Sequence, residues 1–314
     1  MSSRPMEYFV AETSGRKHRR IAARAAAVAL TAALVGTGTT AFASDSPSPA
    51  LGSSDKAPAA ATAAAAAVAP NFALYGVTSA GDAYAYRSNG KGGLTAREDK
   101  GSGWAGVANL LQVANTQKAS GDSDGIWFRE TDGYLGYLKF DATTPTQVGK
   151  GWNIYNKVVS PGNLGGAAAG DLLGRDKSGN LYLYLNYGNG SLTSRYKVGG
   201  GWNAYTEIAG NGDLTGDGKN DIVARDSSGV LWLYKGTGNY KAPFATRTKI
   251  GAGWNTYNQL ISTGDITEDG KTDLIARDKT GALYLYKGTG KASAPYSGRV
   301  KIGSGGWNTY RFLF

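Results

Sequence analysis

The dipeptide Gly-Trp occurs five times in this chain, at spacings of 48, 50, 52 and 53 residues. A second marker, a turn glycine before an aromatic segment, also occurs five times, at spacings of 52, 46, 50 and 52. Periods near fifty residues are typical of propeller blades or linear arrays. The sequence therefore predicts five copies of one structural unit. The dipeptides begin at Gly103, Gly151, Gly201, Gly253 and Gly306, and the second marker comprises Gly81, Gly133, Gly179, Gly229 and Gly281.

Within one unit the hydrophobic period is two, which indicates strands. In Val230–Tyr234 the leucines alternate with Trp232 and Tyr234, so both faces of the segment are apolar. A strand with two apolar faces is covered on both sides. Four-stranded units of this kind need a neighbour on each side, and radial stacking supplies it. The candidate strands of the fourth unit are Thr206–Ala209, Asp221–Asp226, Val230–Tyr234 and Thr246–Ile250.

The two ends of the repeat region predict a closed ring. Phe72–Val77 aligns with the second strand of a unit, and Tyr310–Phe314 aligns with the first strand. The C-terminal segment would then supply the strand that the N-terminal unit lacks, which protects edges that an open array exposes. We therefore predict an all-β fold, a five-bladed β-propeller of four-stranded blades closed by the C-terminal strand. The alternatives are an open β-array and a two-domain sandwich.

The N-terminal region resembles an export signal followed by a linker. Residues 1–43 contain basic residues between Arg16 and Arg20, an apolar run over Ala25–Leu34, and the cleavage pattern Ala41-Phe42-Ala43. Residues 44–70 are rich in Ala, Pro and Ser and predict a flexible linker. The propeller would occupy residues 71–314. We expect a secreted, extracellular protein with no membrane span after cleavage; we favour the general export route, and Arg19-Arg20 leaves a twin-arginine signal open.

Composition excludes several kinds of chemistry. The chain has no cysteine, and its one histidine, His18, lies in the predicted signal. Ser-His-Asp and Cys-His nucleophile systems, and zinc sites with His or Cys ligands, are therefore excluded from the exported part. The formal net charge is +10, but the basic residues are spread through strands and turns. This distribution indicates a solvated surface, so we expect no nucleic-acid partner.

Two nearly identical segments, Gly212–Asp226 and Gly264–Asp278, predict calcium loops. Each offers side-chain oxygens at positions 1, 3, 5 and 9, a glycine at position 6, and a backbone carbonyl at position 7. Oxygen ligands without nitrogen or sulfur favour Ca²⁺. The alternative is an Asx-rich turn without metal. Glu268 adds a carboxylate that we expect to point outward. The predicted ligands are Asp213, Thr215, Asp217, Lys219 (carbonyl) and Asp221 in the first loop, and Asp265, Thr267, Asp269, Lys271 (carbonyl) and Asp273 in the second.

The remaining units have lost most of these ligands. In the third unit position 1 is Asn163, position 5 is Ala167, and Asp171 alone remains as an acid, at position 9. The second unit keeps only the shorter remnant Gly121–Gly125. Because the repeat tolerates these losses, we expect calcium to stabilise units four and five and to have no catalytic role.

The calcium-loop pattern Asp-x-Thr-x-Asp-Gly-x-x-Asp, followed by a short apolar strand ending in Ala-Arg-Asp, resembles FG-GAP/VCBS repeats of integrin-like propellers. The resemblance covers Asn163–Phe314 well and Asn71–Gly162 weakly. It implies calcium-loop blades in an exported bacterial protein. The period, the count of five and Leu74-Tyr-Gly-Val77 also resemble the tachylectin group of propellers, which implies sugar sites between blades without assigning residues to them.

The sequence favours a non-catalytic binding module, with carbohydrate or a cell-surface glycan as the expected ligand. Protein-binding or adhesion is a second possibility, and we expect a monomer. We interpret the recurring tryptophans as inter-blade core. No catalytic residue is predicted and the ligand-binding residues are unknown. The tryptophans are Trp152, Trp202, Trp254 and Trp307, with Trp127 and Trp232 inside strands.

The alternative is a glycan-cleaving enzyme, which needs two facing carboxylates. Besides the loop residues, the recurring acids each follow an arginine, and this regularity indicates a structural ion pair or a turn cap. These acids are Glu130, Asp176, Asp226 and Asp278, and the arginines are Arg129, Arg175, Arg225 and Arg277.

Overall fold

The computed structural model describes residues 68–116, 120–167 and 169–314. The predicted signal peptide, and the predicted linker up to residue 67, lie outside the described residues. Among the described residues, twenty strands form five four-stranded antiparallel sheets. The sheets are the blades of a ring, so the predicted five-bladed β-propeller is confirmed. No helix in the described part of the chain is long and apolar enough to span a membrane.

In blades 2 to 5 the first strand in the sequence is the innermost one. In blade 1 the innermost strand comes from the C-terminal segment. Blade 1 contains β1 (Leu74–Thr78), β2 (Ala83–Tyr86), β3 (Glu98–Asp99) and β20 (Tyr310–Leu313). Blade 2 contains β4 (Val107–Val113), β5 (Gly125–Glu130), β6 (Leu135–Lys139) and β7 (Thr146–Gly149). Blade 3 contains β8 (Tyr155–Gly162), β9 (Asp171–Asp176), β10 (Leu181–Tyr184) and β11 (Tyr196–Gly199). Blade 4 contains β12 (Tyr205–Ala209), β13 (Ile222–Asp226), β14 (Leu231–Tyr234) and β15 (Thr248–Gly251). Blade 5 contains β16 (Tyr257–Gly264), β17 (Asp273–Asp278), β18 (Leu283–Gly288) and β19 (Tyr296–Gly303).

The C-terminal strand closes the ring as predicted. β20 pairs antiparallel with β1, with Leu313 opposite Gly76. Beyond the end of the strand, the N–H of Tyr75 donates to the carbonyl oxygen of Phe314 at 2.8 Å, and the N–H of Phe314 donates back at 3.0 Å. The first blade is thus built from both ends of the domain.

The Gly-Trp-Asn motif forms the entrance to the innermost strand. In blade 4, Gly201 has φ 80° and precedes a single 3₁₀ turn over Trp202–Ala204. Glycine suits this position because a left-handed conformation carries no Cβ penalty there. The side-chain Nδ2 of Asn203 donates to the carbonyl oxygen of Lys177 in the hairpin of blade 3, at 3.0 Å. The motif therefore joins blade 4 to blade 3, and Asn255 and Asn308 make the same contact with the hairpins of blades 4 and 5.

The recurring tryptophans form the core between blades. Trp127 and Trp152 are 0% and 2% exposed, and Trp202 and Trp254 are also buried. The interpretation as core is confirmed for these four side chains. Trp307 is half-buried. The expectation for Trp232 is only partly correct: its ring is half-buried and lies under the guanidinium of Arg247, 4.0 Å from the ring centre.

Candidate functional site

Asp213, at position 1 of the first predicted calcium loop, organises the backbone of that loop. Its Oδ1 accepts hydrogen bonds from the N–H groups of Thr215 at 2.8 Å and Gly216 at 2.7 Å. Its Oδ2 accepts one from the N–H of Gly218 at 2.6 Å. This is the Asx-turn pattern in which an aspartate replaces a backbone acceptor.

Asp221, at position 9, ties the loop to the exit of the blade's third strand. It is completely buried. Its Oδ2 accepts from the N–H of Leu214 at 3.0 Å, and its Oδ1 accepts from the N–H of Gly236 at 2.8 Å. Burial raises the pKa of Asp221 to about 6, because the backbone donors only partly compensate for lost hydration and the charges of Asp213 and Asp217 add to the rise.

The second predicted calcium loop repeats this arrangement. Asp265 accepts from the N–H groups of Asp269 at 3.1 Å and Gly270 at 2.6 Å. Asp273 is buried and accepts from the N–H of Ile266 at 3.0 Å and from that of Gly288 at 2.7 Å. Burial likewise raises the pKa of Asp273 to about 6. The repeat in sequence is therefore a repeat in hydrogen bonding.

The other predicted ligands lie at the rim of each loop. Asp217 accepts from the N–H of Lys219 at 3.1 Å and lies 3.3 Å from the ammonium of Lys235. Asp269 accepts from the N–H of Lys271 at 3.0 Å, and its carboxylate lies 3.7 Å from the ammonium of the same lysine. The hydroxyls of the position-3 residues lie 3.4 Å and 3.3 Å from the position-1 carboxylates; these residues are Thr215 and Thr267.

Whether the loops suit a hard cation depends on how the donors converge. The donors are all oxygen, and a glycine with positive φ allows the turn at position 6 of both loops, at Gly218 and Gly270. Among the described residues, however, no three acidic side chains converge closely enough to hold a metal ion. The position-5 acids contact lysine ammonium groups instead. The donor chemistry therefore fits calcium, whereas the arrangement of the carboxylates is that of an Asx-rich turn.

The third blade shows what remains when positions 1 and 5 both lose their acids. Asn163 keeps the turn, because its Oδ1 accepts from the N–H of Gly166 at 2.8 Å. Asp171 accepts from the N–H groups of Leu164 at 2.9 Å and Asn186 at 3.2 Å. Burial raises its pKa to about 7. The position-9 aspartate thus has a structural role that does not depend on a full set of ligands.

The recurring Arg-Asp dipeptides serve two separate purposes. The acids cap hairpin turns: Asp226 accepts from the N–H of Val230 at 2.9 Å. The arginines bond to the next blade, as Arg175 does with the carbonyl oxygens of Trp202 at 3.0 Å and Tyr205 at 2.5 Å. The sequence allowed two interpretations of the acidic residue, a structural ion pair with the arginine and a turn cap. The turn cap is correct. We call Arg175, Arg225 and Arg277 the inter-blade arginines.

A cavity of about 330 Å³ lies on the axis of the ring, lined mainly by the innermost strands. Lys157 and Glu207 form an ion pair on its wall, with 3.3 Å between Nζ and Oε2. Among the described residues Glu207 has the one acidic side chain that lines this cavity. Sequence reasoning missed the pair. The sequence did contain a signal for this pair. The second residue after the tyrosine that opens the innermost strand has opposite charges in two successive blades, as Lys157 in blade 3 and Glu207 in blade 4.

A second cavity, of about 350 Å³, lies among the loops of blades 1, 2 and 5. Its wall includes Arg87, Asp122, Asp265 and Glu268, and Arg87 lies 3.8 Å from Asp122. Glu268 is exposed and has φ 59°, and it occupies the loop position that is Gly216 in blade 4. A non-glycine residue whose backbone adopts the left-handed conformation is uncommon and carries strain.

Comparisons with known proteins agree with the repeat. Residues 213–276 match the family model described as FG-GAP-like repeat. No curated protein sequence shows a match to the chain.

Several solved structures resemble the chain at low sequence identity. The BP39L lectin from Burkholderia pseudomallei is 15% identical, with 77% of this chain and 72% of that chain covered and a TM-score of 0.44. Prp20p from Saccharomyces cerevisiae is 11% identical, with 74% and 61% covered and a TM-score of 0.37. Human WBSCR16 is 12% identical, with 74% and 65% covered and a TM-score of 0.33. The chain thus spans less than two thirds of the last two proteins.

Proposed function

We propose that this protein is a non-catalytic binding module whose ligand is carbohydrate. The observation that carries the proposal is the axial cavity, which combines one acidic side chain, one ammonium group, two guanidinium groups and several carboxamides with apolar side chains. Hydrogen-bond donors and acceptors set among apolar groups suit a sugar, whose hydroxyls donate and accept while its C–H faces are apolar.

The same cavity argues against a glycosidase. Hydrolysis by the usual mechanism needs two carboxyl groups about 5 to 9.5 Å apart, flanking the bond that breaks. Among the described residues the axial cavity offers only one acidic side chain, that of Glu207. The aspartates whose pKa burial raises to about 6 or 7 are completely enclosed and bonded to backbone N–H groups, so a substrate does not reach them; these are Asp171, Asp221 and Asp273.

The test of this function is a glycan array probed with the full-length chain in calcium-containing buffer. We expect binding to a restricted set of glycans that the corresponding free sugar competes away. Binding to no glycan, together with recovery of one specific protein partner in a pull-down, would instead support the adhesion role and end the carbohydrate proposal.

Calcium remains part of the proposal, as a stabilising ion in blades 4 and 5. Support comes from the oxygen-only donor sets of Asp213–Asp221 and Asp265–Asp273 and from the lowered charge repulsion that a cation would bring to each loop. A thermal melt with and without chelator tests it. We expect a lower melting temperature in chelator, restored by added Ca²⁺; identical melts would mean that both loops are metal-free turns.

Export is also proposed, from the pattern of residues 1–43. Sequencing the N-terminus of protein recovered from the culture medium tests it, and we expect the exported chain to begin at Ser44. A chain that keeps its first residues and stays inside the cell would contradict the proposed cleavage.

A further inference from the structure

One position of the repeat differs in every blade although its neighbours are repeated. On the innermost strands of blades 3 and 4, the third residue after the opening tyrosine is aliphatic and buried; it is Val158 in blade 3 and Ile208 in blade 4. The preceding residue lines the axial cavity and is a different amino acid in each blade, although two of the five are carboxamides. These cavity-facing residues are Asn109, Lys157, Glu207, Gln259 and Phe312.

This variation breaks the five-fold symmetry of the ring at its axis. Core positions are repeated because each must fill the same space between blades. A cavity wall under no such packing constraint can differ from blade to blade. A wall with five different side chains presents an asymmetric pattern of donors and acceptors, which is what recognition of one small, asymmetric ligand requires.

The ion pair on this wall retains capacity for further hydrogen bonds. Oε2 of Glu207 lies 3.3 Å from Nζ of Lys157 and 3.5 Å from the N–H of Leu260. Among the described residues no donor contacts the other oxygen, Oε1. The side chains of Lys157 and Glu207 keep 26% and 14% of their surface exposed, so both are reachable from the cavity. A carboxylate oxygen accepts up to two hydrogen bonds, and an ammonium donates three.

Two carboxamides extend the polar wall. Nδ2 of Asn211 is buried and has no hydrogen-bond partner among the described residues, and its side chain lines the cavity. Gln259 donates through Nε2 to the carbonyl oxygen of Leu313 at 2.8 Å, which fixes its orientation.

The chemistry of this wall distinguishes between ligand classes. The guanidinium groups of Arg277 and Arg311 also line the cavity and already donate to backbone carbonyl oxygens. At the ion pair itself, an anion would compete with Glu207 for Lys157, and the cationic group of a zwitterion would compete with Lys157 for Glu207; either would separate the pair. A hydroxyl group donates to Glu207 and accepts from Lys157 at once, so the pair stays intact. The volume of about 330 Å³ lies at the lower end of the range of roughly 300 to 1,000 Å³ for small-molecule sites.

We propose that the axial cavity is the binding site for a single sugar unit, with Glu207 and Lys157 as its hydrogen-bonding pair. The inference rests on the proposed carbohydrate function and names its site, which lies on the ring axis and not between blades. The hydroxyls of one sugar unit bond to the ion pair, and its apolar face lies against Phe312.

The experiment measures binding of free glucose, galactose, mannose, xylose and N-acetylglucosamine by saturation-transfer NMR. The full-length chain is compared with Glu207→Gln, which removes the charge and keeps the shape, and with Ser160→Phe, which fills the cavity from β8. Glu98→Gln is the matched control, since Glu98 lies on an outermost strand with an exposed side chain. Melting curves accompany each variant, because Glu207 also offsets the buried charge of the inter-blade arginines.

We expect at least one sugar to bind the unaltered chain and Glu98→Gln equally, and to bind at least tenfold more weakly to Glu207→Gln and to folded Ser160→Phe. Equal binding by folded Ser160→Phe would overturn the axial site while leaving the carbohydrate function in place. If neither the array nor the free sugars give binding, the carbohydrate function itself fails, and the axial site fails with it.

Discussion

The guanidinium Nη1 of Arg225 in blade 4 lies 3.1 Å from the carbonyl oxygen of Trp254, which belongs to the 3₁₀ turn that opens blade 5. The same Nη1 donates to the carbonyl oxygen of Tyr257. Arg225 is only 7% exposed. Within the turn, the carbonyl oxygen of Trp254 accepts the N–H of Tyr257. The arginine of the preceding blade supplies a further, charged donor, so neighbouring blades are joined through buried, charge-assisted bonds.

We expect Arg225→Met to lower the free energy of unfolding by about 3 kcal/mol. The methionine fills much of the same space, but it removes the buried, charged hydrogen bonds to the carbonyl oxygens of Trp254 and Tyr257. Lys249→Met, on the exposed outer strand β15, is the control and should change stability by less than about 0.5 kcal/mol. Urea denaturation gives both values, and equal effects would mean that the arginine contact contributes little.

Glu268 and Gly216 give a matched pair for backbone strain. Glu268 has φ 59° where blade 4 has glycine with φ 79°. Glu268→Gly should stabilise the protein by up to about 1 kcal/mol, because relief of roughly 1 to 2 kcal/mol of left-handed strain exceeds the added entropy of the unfolded chain. Gly216→Ala should destabilise it by more than about 1 kcal/mol, since the new Cβ would lie 2.6 Å from the carbonyl oxygen of Gly290. Effects of the same sign would contradict the strain argument.

Asp171 should make stability depend on pH in an unusual direction. Burial raises its pKa from 3.8 to about 7, so the folded state binds more protons than the unfolded state between these values. The contribution to unfolding free energy is therefore full below about pH 4, and it falls by up to about 1.4 kcal/mol per pH unit as the pH rises toward 7. Asp171→Asn should decline less steeply whatever its overall stability, because only the part of the decline due to Asp221 and Asp273, whose pKa values burial raises to about 6, remains. Parallel stability curves for the two proteins from pH 4 to 7 would disprove the assignment.

The fold was predictable because its determinants are repeated in the sequence. The spacing of Gly-Trp predicted the number of blades, and the alternation in Val230–Tyr234 predicted a strand. The alignment of Tyr310–Phe314 predicted the pairing that closes the ring, and all three predictions hold in the structure. The Lys157–Glu207 pair was not predictable in the same way, because it depends on which residues of different blades meet at the axis. The role of Arg225 was missed for a similar reason. Its partners are backbone carbonyls 29 and 32 residues away. Because every residue has a backbone carbonyl, the sequence does not indicate which ones an arginine will contact.

Removal of residues 310–314 tests closure of the ring. The deletion takes away β20, which pairs with β1, and removes the hydroxyl of Tyr310 that lies 2.5 Å from that of Tyr86. We expect the truncated chain to aggregate, because the edge of β1 and the apolar side chains behind it become exposed. Tyr310→Phe is the control: it removes only the hydroxyl, so it should remain monomeric and lose about 1 kcal/mol. Size-exclusion chromatography with light scattering and a thermal melt follow both variants. A truncated chain that stays monomeric with an unchanged melting temperature would show that the C-terminal strand is dispensable for closure.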